Sequence, residues 1–241
     1  DGDMDVLSAS VFDSKIAWYE NDGSESFTDH AISTGADAAQ SVHAADVDGD
    51  GDMDVLSASR DDDMIAWYEN DGSESFTEHA ISTSADGARS VYATDVDGDG
   101  DMDVLSASKD DNKIAWYEND GSESFTEHAI STSADNAYSV HAADVDGDGD
   151  MDVLSASDID DKIFWYENDG SESFTEHTIS ASANGAVSVY AADVDGDGDM
   201  DVLSASYLGD KIAWYENDGS ESFTEHAIST SADGAFSVYA V

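Results

Sequence analysis

Short runs rich in Val, Ile, Tyr, Trp, Phe and Thr recur along the chain, separated by clusters of Asp, Asn, Gly and Ser. In one copy of this pattern we predict four strands, over residues 90–96, 103–108, 113–119 and 125–132. β-Branched and aromatic residues favour packed strands, and the NDGS segment at 119–122 is a strong signal for a hairpin turn. Apolar residues do not follow a helical spacing over any useful length. The pattern therefore predicts an all-β protein.

The whole pattern repeats every 49 residues. The string DVDGDGDMDVLSAS starts at Asp46, Asp95, Asp144 and Asp193, and a truncated copy starts at Asp1. A Trp-Tyr-Glu run recurs in step with it. Four strands in a period of about 40 to 50 residues are typical of a β-propeller blade. We therefore predict a single domain, residues 1–241, built as a five-bladed β-propeller with four antiparallel strands per blade.

The two ends of the sequence fit a closed ring. The chain opens just before a second strand, and the segment SVYAV at 237–241 has the pattern of a first strand. We expect this segment to complete the blade whose other three strands open the chain. Such a 3+1 closure would leave no free edge in the ring.

Composition adds an unusual charge. The 241 residues carry a formal net charge of -50, yet 40% of them are hydrophobic, which argues against disorder. A compact chain of this charge repels itself unless cations neutralise part of it. Only seven residues are Lys or Arg, so we expect no nucleic-acid partner, and no apolar run is long enough for membrane insertion. The absence of Cys excludes disulfides and thiolate metal sites.

The acidic loop of each repeat has the spacing of a calcium site. In DVDGDGDMD, counted from Asp46, positions 1, 3, 5 and 9 offer carboxylates, position 7 offers a backbone carbonyl, and Gly51 at position 6 permits a sharp turn. Oxygen-only ligation in a loop that wraps the ion is what Ca²⁺ prefers, whereas zinc usually takes His or Cys. An EF-hand is not indicated, because Ser57 stands at position 12.

We therefore expect about four Ca²⁺ ions per chain with a structural role. The alternative is that the Asp residues form only a solvated acidic surface. A further, partial site at Asp1, Asp3 and Asp5 lacks the two leading carboxylates and should be weak or empty. The candidate ligands in the complete loops are Asp46, Asp48, Asp50, Asp52, Asp54, Asp95, Asp97, Asp99, Asp101, Asp103, Asp144, Asp146, Asp148, Asp150, Asp152, Asp193, Asp195, Asp197, Asp199 and Asp201.

These loops resemble those of the FG-GAP/VCBS repeat family, in which a D-x-D-x-D-G-x-x-D loop joins the first and second strands of a blade. The loops that start at Asp46, Asp95, Asp144 and Asp193 match that pattern fully. The FG and GAP strings themselves are missing, and LSAS occupies the second strand. The resemblance implies a calcium-binding propeller. Weak calcium sites filled at millimolar concentration, together with this resemblance, imply an extracellular or cell-surface location.

The five copies differ mainly in two stretches, which should emerge on one face of a propeller because strands alternate in direction. The first is the loop between the second and third strands, at 11–14, 60–63, 109–112, 158–161 and 207–210. The second precedes the first strand and includes Gln40, Arg89, Tyr138, Val187 and Phe236. Varied loops on a rigid scaffold commonly carry function, so this face is a candidate surface for a glycan or protein ligand. Drift in unconstrained loops is the alternative.

Repeated aromatic residues have simpler interpretations. We expect the five Trp residues, Trp18 and its equivalents, to pack between blades rather than to stack on sugars. The repeated His of the fourth strand should be a hydrogen-bonding or surface residue, and His43 and His141 are candidates to line a central channel.

No singular catalytic constellation interrupts the repeat. The chain has neither a G-x-S-x-G elbow nor a phosphate-binding G-x-x-x-x-G-K-[ST] loop. We therefore predict a calcium-stabilised recognition module that is not an enzyme. The alternatives are a purely structural or engineered repeat protein without a ligand and, less favoured, a calcium-dependent enzyme acting on polysaccharides.

Overall fold

The computed structural model describes residues 2–241, and no helix occurs among them. Their secondary structure consists of short antiparallel strands joined by turns. The strands are β1 (Val6–Ser10), β2 (Lys15–Asn21), β3 (Phe27–Ser33), β4 (Ala39–Ala45), β5 (Asp54–Ser59), β6 (Met64–Asn70), β7 (Phe76–Ser82), β8 (Ala88–Thr94), β9 (Asp103–Ser108), β10 (Lys113–Asn119), β11 (Phe125–Ser131), β12 (Ala137–Ala143), β13 (Asp152–Ser157), β14 (Lys162–Asn168), β15 (Phe174–Ser180), β16 (Ala186–Ala192), β17 (Asp201–Ser206), β18 (Lys211–Asn217) and β19 (Phe223–Ser229).

The strands form five sheets, one for each repeat. Blade 1 contains β1–β3, and blades 2 to 5 contain β4–β7, β8–β11, β12–β15 and β16–β19, each as an antiparallel meander. The all-β, five-bladed prediction is therefore confirmed. The predicted strand bounds hold within two residues. β8 ends at Thr94 rather than Val96, because the Val96 N–H donates to the Asp103 carboxylate instead of to the sheet (3.0 Å).

Apolar side chains of neighbouring blades form shared cores. One cluster joins Leu56 and Trp67 of blade 2 to Val91 and Tyr117 of blade 3, and equivalent clusters join the following blades. The indole of Trp67 packs edge-on against Phe125 of the next blade, with ring centroids 6.4 Å apart. Trp packing between blades, as the sequence indicates, is thus observed for Trp67 and its equivalents in blades 3 and 4.

The first strands of blades 2 to 5 line the centre of the molecule side by side. Their aromatic residues form a continuous ladder from His43 through Tyr92, His141 and Tyr190 to Tyr239, with ring centroids 4.6–4.7 Å apart at each step. His43 and His141 therefore line the centre of the molecule, as the sequence indicates.

The C-terminal segment continues this ladder but does not form a strand. The Val238 N–H donates to the Ser188 hydroxyl (3.3 Å), as Val189 does to Ser139 one blade earlier. Among residues 2–241, however, 236–241 has no strand hydrogen bonds, and β1 is bonded to β2 alone. Blade 1 consequently has three strands. The predicted 3+1 closure is not confirmed, because the segment lies against β16 without pairing with β1.

No helix among the described residues is long and apolar enough to cross a bilayer.

Candidate metal centres

The acidic loops lie where the first strand of a blade turns into the second. In blade 2 the loop spans residues 46–53, between β4 and β5. Asp residues fold the loop by bonding backbone N–H groups two to five residues ahead: Asp48 accepts from Asp50 N–H (3.1 Å) and Asp46 accepts from Gly51 N–H (3.1 Å). Gly51 has a φ of +98°, a conformation that side chains rarely adopt. The sequence thus forces the carboxylates of one loop toward a common centre.

Four clusters of three carboxylates result, one in each complete loop. Within each cluster the candidate ligand oxygens all lie within 4.8 Å of one another. The clusters are Asp46/Asp48/Asp50, Asp95/Asp97/Asp99, Asp144/Asp146/Asp152 and Asp193/Asp195/Asp197. Hard carboxylate oxygens at this spacing fit Ca²⁺. Asp46 Oδ1 is buried and has no hydrogen-bond partner among the described residues, as expected for an oxygen reserved for a cation.

Repulsion between the loop carboxylates contributes to a raised pKa at the third position of the loop. Burial raises the pKa of Asp48, and the like charges of Asp50 and Asp46 add to the rise. The pKa of Asp97 and of Asp146 is raised for the same reasons. A cation between these groups would remove the repulsion that the loop sequence creates.

The carboxylate at position 9 anchors the loop to the blade. Asp103 is fully buried, and its two oxygens accept from the N–H groups of Asn119 (2.8 Å) and Val96 (3.0 Å). Burial raises the pKa of Asp103 to about 6, against the effect of these hydrogen bonds. The pKa of the equivalent Asp152 is also raised by burial to about 6. Among the position-9 residues of the complete loops, only Asp152 belongs to a carboxylate cluster. Asp54, Asp103 and Asp201 accept the equivalent backbone N–H bonds but lie outside the clusters of their own loops.

The carboxylate at position 7 points elsewhere. Asp52 lies over Gly72 in the β6–β7 turn of the same blade, so closely that a Cβ on Gly72 would overlap it. Asp101, Asp150 and Asp199 lie in the same way over Gly121, Gly170 and Gly219, outside the clusters. At this position the backbone carbonyl is the candidate ligand, and the side chain secures the loop to the turn.

The partial loop at the start of the chain differs. Asp1 lies outside the described residues. Asp5 is exposed, although it accepts from Trp18 Nε1 and Asn21 N–H at 2.8 Å each, and the Asn21 bond lowers its pKa. Asp3 belongs to none of the carboxylate clusters found among residues 2–241. The prediction of a weak or empty site there stays a prediction.

Comparison with known sequences agrees with this repeat geometry. The profile of the FG-GAP-like repeat matches residues 1–57, 46–106, 95–155, 144–204 and 193–241, and so covers the whole chain. The chain belongs to the FG-GAP-like repeat family. No curated protein sequence matches it significantly.

Solved structures share the propeller fold at low identity. The FG-GAP-like chain is similar to a protein from Lactobacillus plantarum (16% identity, TM-score 0.66, covering 92% of this chain and 66% of that one). It is also similar to the V. cholerae biofilm matrix protein Bap1 (19% identity, TM-score 0.57, covering 97% of this chain and 40% of that one). A third similar structure is that of an Aleuria aurantia lectin in complex with Fucα1-6GlcNAc (15% identity, TM-score 0.57, covering 93% of this chain and 75% of that one). At these identities the similarity concerns the fold.

Three of the four complete FG-GAP-like loops, those of blades 2, 3 and 4, also contact the next blade. Asn119 of blade 3 donates through Nδ2 to the carbonyl of Val47 in the loop of blade 2 (3.1 Å). Asn168 and Asn217 bond Val96 and Val145 in the same way (3.0 Å each). Sequence reasoning assigned this Asn to a hairpin turn and missed the contact. The only sequence feature that could have indicated the contact is the position of this Asn, just before the Asp-Gly of the turn.

The opposite face carries the variable stretches of the FG-GAP-like repeats, as predicted. The prediction that the second stretch precedes the first strand was wrong, because Gln40, Arg89, Tyr138 and Val187 each lie inside that strand as its second residue. Backbone bonds tie the two stretches together: Lys109 N–H donates to Gly87 C=O (3.1 Å), and Tyr207 N–H donates to Gly185 C=O (2.7 Å). Phe12, Ile159 and Leu208 are exposed on these loops.

The repeated histidines lie on the flanks of the blades. The ring of each stacks on the Trp of the neighbouring strand with centroids 4.6–4.7 Å apart, and Nε2 lies 2.6–3.1 Å from a Glu carboxylate. Their interpretation as hydrogen-bonding residues is therefore supported.

Proposed function

We propose that the chain is a calcium-stabilised, extracellular recognition module that binds a glycan or protein ligand and has no catalytic activity of its own. The observation that carries the calcium part is the set of four equivalent clusters, each with three carboxylate oxygens within 4.8 Å. Bound Ca²⁺ would supply two positive charges at the centre of each cluster. The ligands proposed in blade 3, for example, are Asp95, Asp97 and Asp99, with Asp103 behind them.

The charge of the whole chain supports a stabilising role. With a formal net charge of -50, the compact state repels itself, and the loops concentrate that repulsion. Four divalent ions would bring the formal net charge to about -42, with the change placed where carboxylates are closest. The cross-blade bond from Asn119 to Val47 would extend the effect, because an ordered loop presents a fixed carbonyl to the next blade.

The variable face supports a recognition role. Exposed Phe12, Ile159, Tyr207 and Leu208 stand on loops at the same end of different blades, above a scaffold that is otherwise nearly identical from repeat to repeat. Apolar groups exposed on a rigid scaffold favour a contact surface. An Aleuria aurantia lectin with this fold was solved with a fucosylated GlcNAc, which makes a glycan a reasonable first ligand to test. Weak sites on several blades would act together through avidity.

The calcium part is tested by thermal unfolding in millimolar Ca²⁺ and in excess EGTA, with the bound ions counted by calorimetry. We expect a clear rise in Tm and about four ions per chain, because binding to the folded state alone stabilises it. Asp97→Asn should remove one ion. Asp101→Asn is the matched control and should keep all four, because the Asp101 carboxylate lies outside its cluster. An unchanged Tm in EGTA would contradict the proposal.

The recognition part is tested separately on a glycan array with calcium present. We expect binding that is lost in chelator and reduced by substitutions on the variable face, such as Tyr207→Ser. Hydrolysis or cleavage of any bound polysaccharide would refute the non-enzymatic assignment.

A second candidate is a structural unit of an extracellular assembly. β1 pairs only with β2 among residues 2–241, and its other edge favours this candidate because an unpaired edge offers a template for another chain. A biofilm matrix protein also shares the fold. Native mass spectrometry distinguishes the candidates. Oligomers that form without ligand and that Val6→Lys dissociates would favour the structural unit, whereas a monomer would argue against it.

A further inference from the structure

The first strand of blades 2 to 5 begins with a β-bulge. The pairing register with the second strand shifts between Ala39 and Ser41 in blade 2 and at the equivalent place in the others. The residue inside the shift has no partner across the ladder, and such a bulge re-aims its side chain. These residues are Gln40, Arg89, Tyr138 and Val187. The bulge therefore directs one of the two positions at which all five repeats differ toward the centre of the molecule.

Together with Phe236, the bulged residues line one mouth of the central channel, around a cavity of about 210 Å³. Each of the five is a different amino acid, although the flanking Ala and Ser are the same in every copy. Because the five equivalent positions carry five different side chains, the mouth is asymmetric and occurs once per molecule.

Arg89 is the only cation among these five, and its guanidinium has spare donors. Nη1 donates to Gln40 Oε1 (2.9 Å), the group lies over the Tyr138 ring at 4.9 Å, and Nε is buried without a hydrogen-bond partner. No ion pair to Arg89 occurs within residues 2–241. An unsatisfied buried N–H of a charged group is unfavourable and rare. Five of the seven Lys and Arg residues form ion pairs among residues 2–241, and Arg89 and Lys109 do not.

Arg60 differs from Arg89 because its guanidinium is paired with a carboxylate. It belongs to a variable loop of the same face and forms a two-point contact with Asp61, at 2.5 Å from Nε and 3.0 Å from Nη2. The Arg60 bond lowers the pKa of Asp61, and Arg89 adds only a smaller, charge-based contribution. The Asp61 carboxylate is therefore engaged by Arg60 and does not satisfy Arg89.

The other walls of the mouth suit an organic acid. Tyr138 and Phe236 meet edge to face with centroids 5.6 Å apart, and Val187 is buried beside them. Just below, the hydroxyls of Ser41, Ser90 and their equivalents accept N–H bonds from the next blade (3.3–3.4 Å), which leaves each O–H proton free to donate. Donors converge from two sides on a pocket with an aromatic wall.

We propose that this mouth binds one small organic carboxylate per chain. The guanidinium N–H groups of Arg89 that Gln40 leaves free engage the carboxylate, and the apolar part of the ligand lies against Tyr138 and Phe236. Arg and carboxylate match in a planar two-point geometry. At physiological salt the screening length is about 8 Å, so the acidic loops at the far end of the blades oppose binding only weakly. Asp61 and Asp158 lie on the same face as the mouth, and their carboxylates are engaged by Arg60 and Asn136. The volume corresponds to about seven waters, enough for a single-ring acid.

The test is an NMR titration of the calcium-loaded protein with benzoate, and with benzyl alcohol as the uncharged analogue. We expect benzoate to bind with a Kd at or below about 1 mM and to shift the signals of residues at the mouth. Benzyl alcohol should bind at least tenfold more weakly. Acetate should bind more weakly than benzoate, because it makes no contact with the aromatic wall.

Matched variants locate the site. Arg89→Gln places at this bulge the residue that blade 2 already carries there, so the fold should tolerate it, and we expect at least a tenfold loss of benzoate affinity. Arg60→Gln on the same face should leave the Kd within about twofold. Equal losses in both variants, equal binding of benzyl alcohol, or no benzoate binding at 10-fold above the expected Kd of about 1 mM would each overturn the proposal.

Discussion

The loop at Asp144 and the loop at Asp193 have the same nine residues but different surroundings. In the first, Val145 is 2% exposed, and its carbonyl accepts from Asn217 of the following blade (3.0 Å). In the second, Val194 is 43% exposed, and no residue between 2 and 241 bonds its carbonyl from another blade. Asp193 and Asp195 of the second loop are exposed, whereas the equivalent Asp144 and Asp146 of the first are half-buried. Identical sequence therefore gives a more enclosed loop where the Asn of another blade bonds it and a more open loop where no such bond occurs among residues 2–241.

The comparison extends to the whole blade. The second strands β5, β9, β13 and β17 are buried along their full length, but β1 is exposed or half-buried throughout. Trp116 is fully buried against Phe174 of blade 4, whereas Trp214 is half-buried and Phe27 of blade 1 is exposed. The burial of each blade thus depends on contacts with its neighbouring blades more than on its own sequence, as is general for repeat proteins.

The largest expected difference is between two tryptophans. Trp116→Ala removes a fully buried indole from the core shared by blades 3 and 4, so it should lower the free energy of unfolding by about 3 to 5 kcal/mol. Trp214→Ala, which empties a site already half open, should lower it by roughly half as much. Urea unfolding followed by circular dichroism measures both. Equal losses would mean that the terminal blade is enclosed in solution.

A smaller difference should appear in acid. Burial lowers the pKa of His141 to about 4, with a further contribution from His43, so the folded state binds fewer protons than the unfolded state between about pH 6.5 and 4. Stability should therefore fall as the pH drops through this window. His141→Tyr, the residue found at this position in blades 3 and 5, should reduce that loss by roughly 2 kcal/mol.

His43→Tyr is the matched control for the acid effect. The pKa of His43 is also lowered by burial, but His43 stacks on one neighbouring ring, Tyr92, where His141 stacks on two. We expect a smaller change in the pH dependence of unfolding. A larger effect for His43→Tyr than for His141→Tyr would reverse the order that the ladder implies.

The smallest effect concerns the cross-blade bond itself. Asn119 and Asn70 make the same contacts within their own blades, to Met102 and Met53 carbonyls and to the following glycine. Only Asn119 also bonds the preceding blade. Asn119→Ala should therefore destabilise the protein by about 1 kcal/mol more than Asn70→Ala. Equal losses in urea unfolding would show that the Val47 carbonyl is satisfied as well by water.

Local features could be predicted from the sequence because they repeat and depend on nearby residues. The strands, the NDGS hairpin turns, the loop carboxylates and the common face of the variable stretches all follow from strand preference, turn chemistry and alternating direction. The packing of Trp67 between blades was also predictable, since an identical aromatic in every repeat favours a shared core.

Features that depend on register or on a distant residue could not be predicted. The bulge that turns Arg89 toward the axis is a one-residue shift between strands with no glycine to mark it. Asp101 was grouped with the ligands because alternation alone cannot show that its side chain lies over Gly121, twenty positions later. The pairing of 237–241 with β1 would join the most distant parts of the sequence, and the repeat pattern does not determine it.

The bond from Asn119 to Val47 runs backward along the chain, as do those from Asn168 to Val96 and from Asn217 to Val145, each across 72 residues. Synthesis on the ribosome proceeds in the opposite sense, from the N-terminus. A loop such as 46–53 therefore leaves the exit tunnel well before the residue that bonds it, and the loops of blades 2, 3 and 4 each receive this bond from the blade that emerges next. In these three blades the loop bond can therefore form only in the order in which the blades are synthesised.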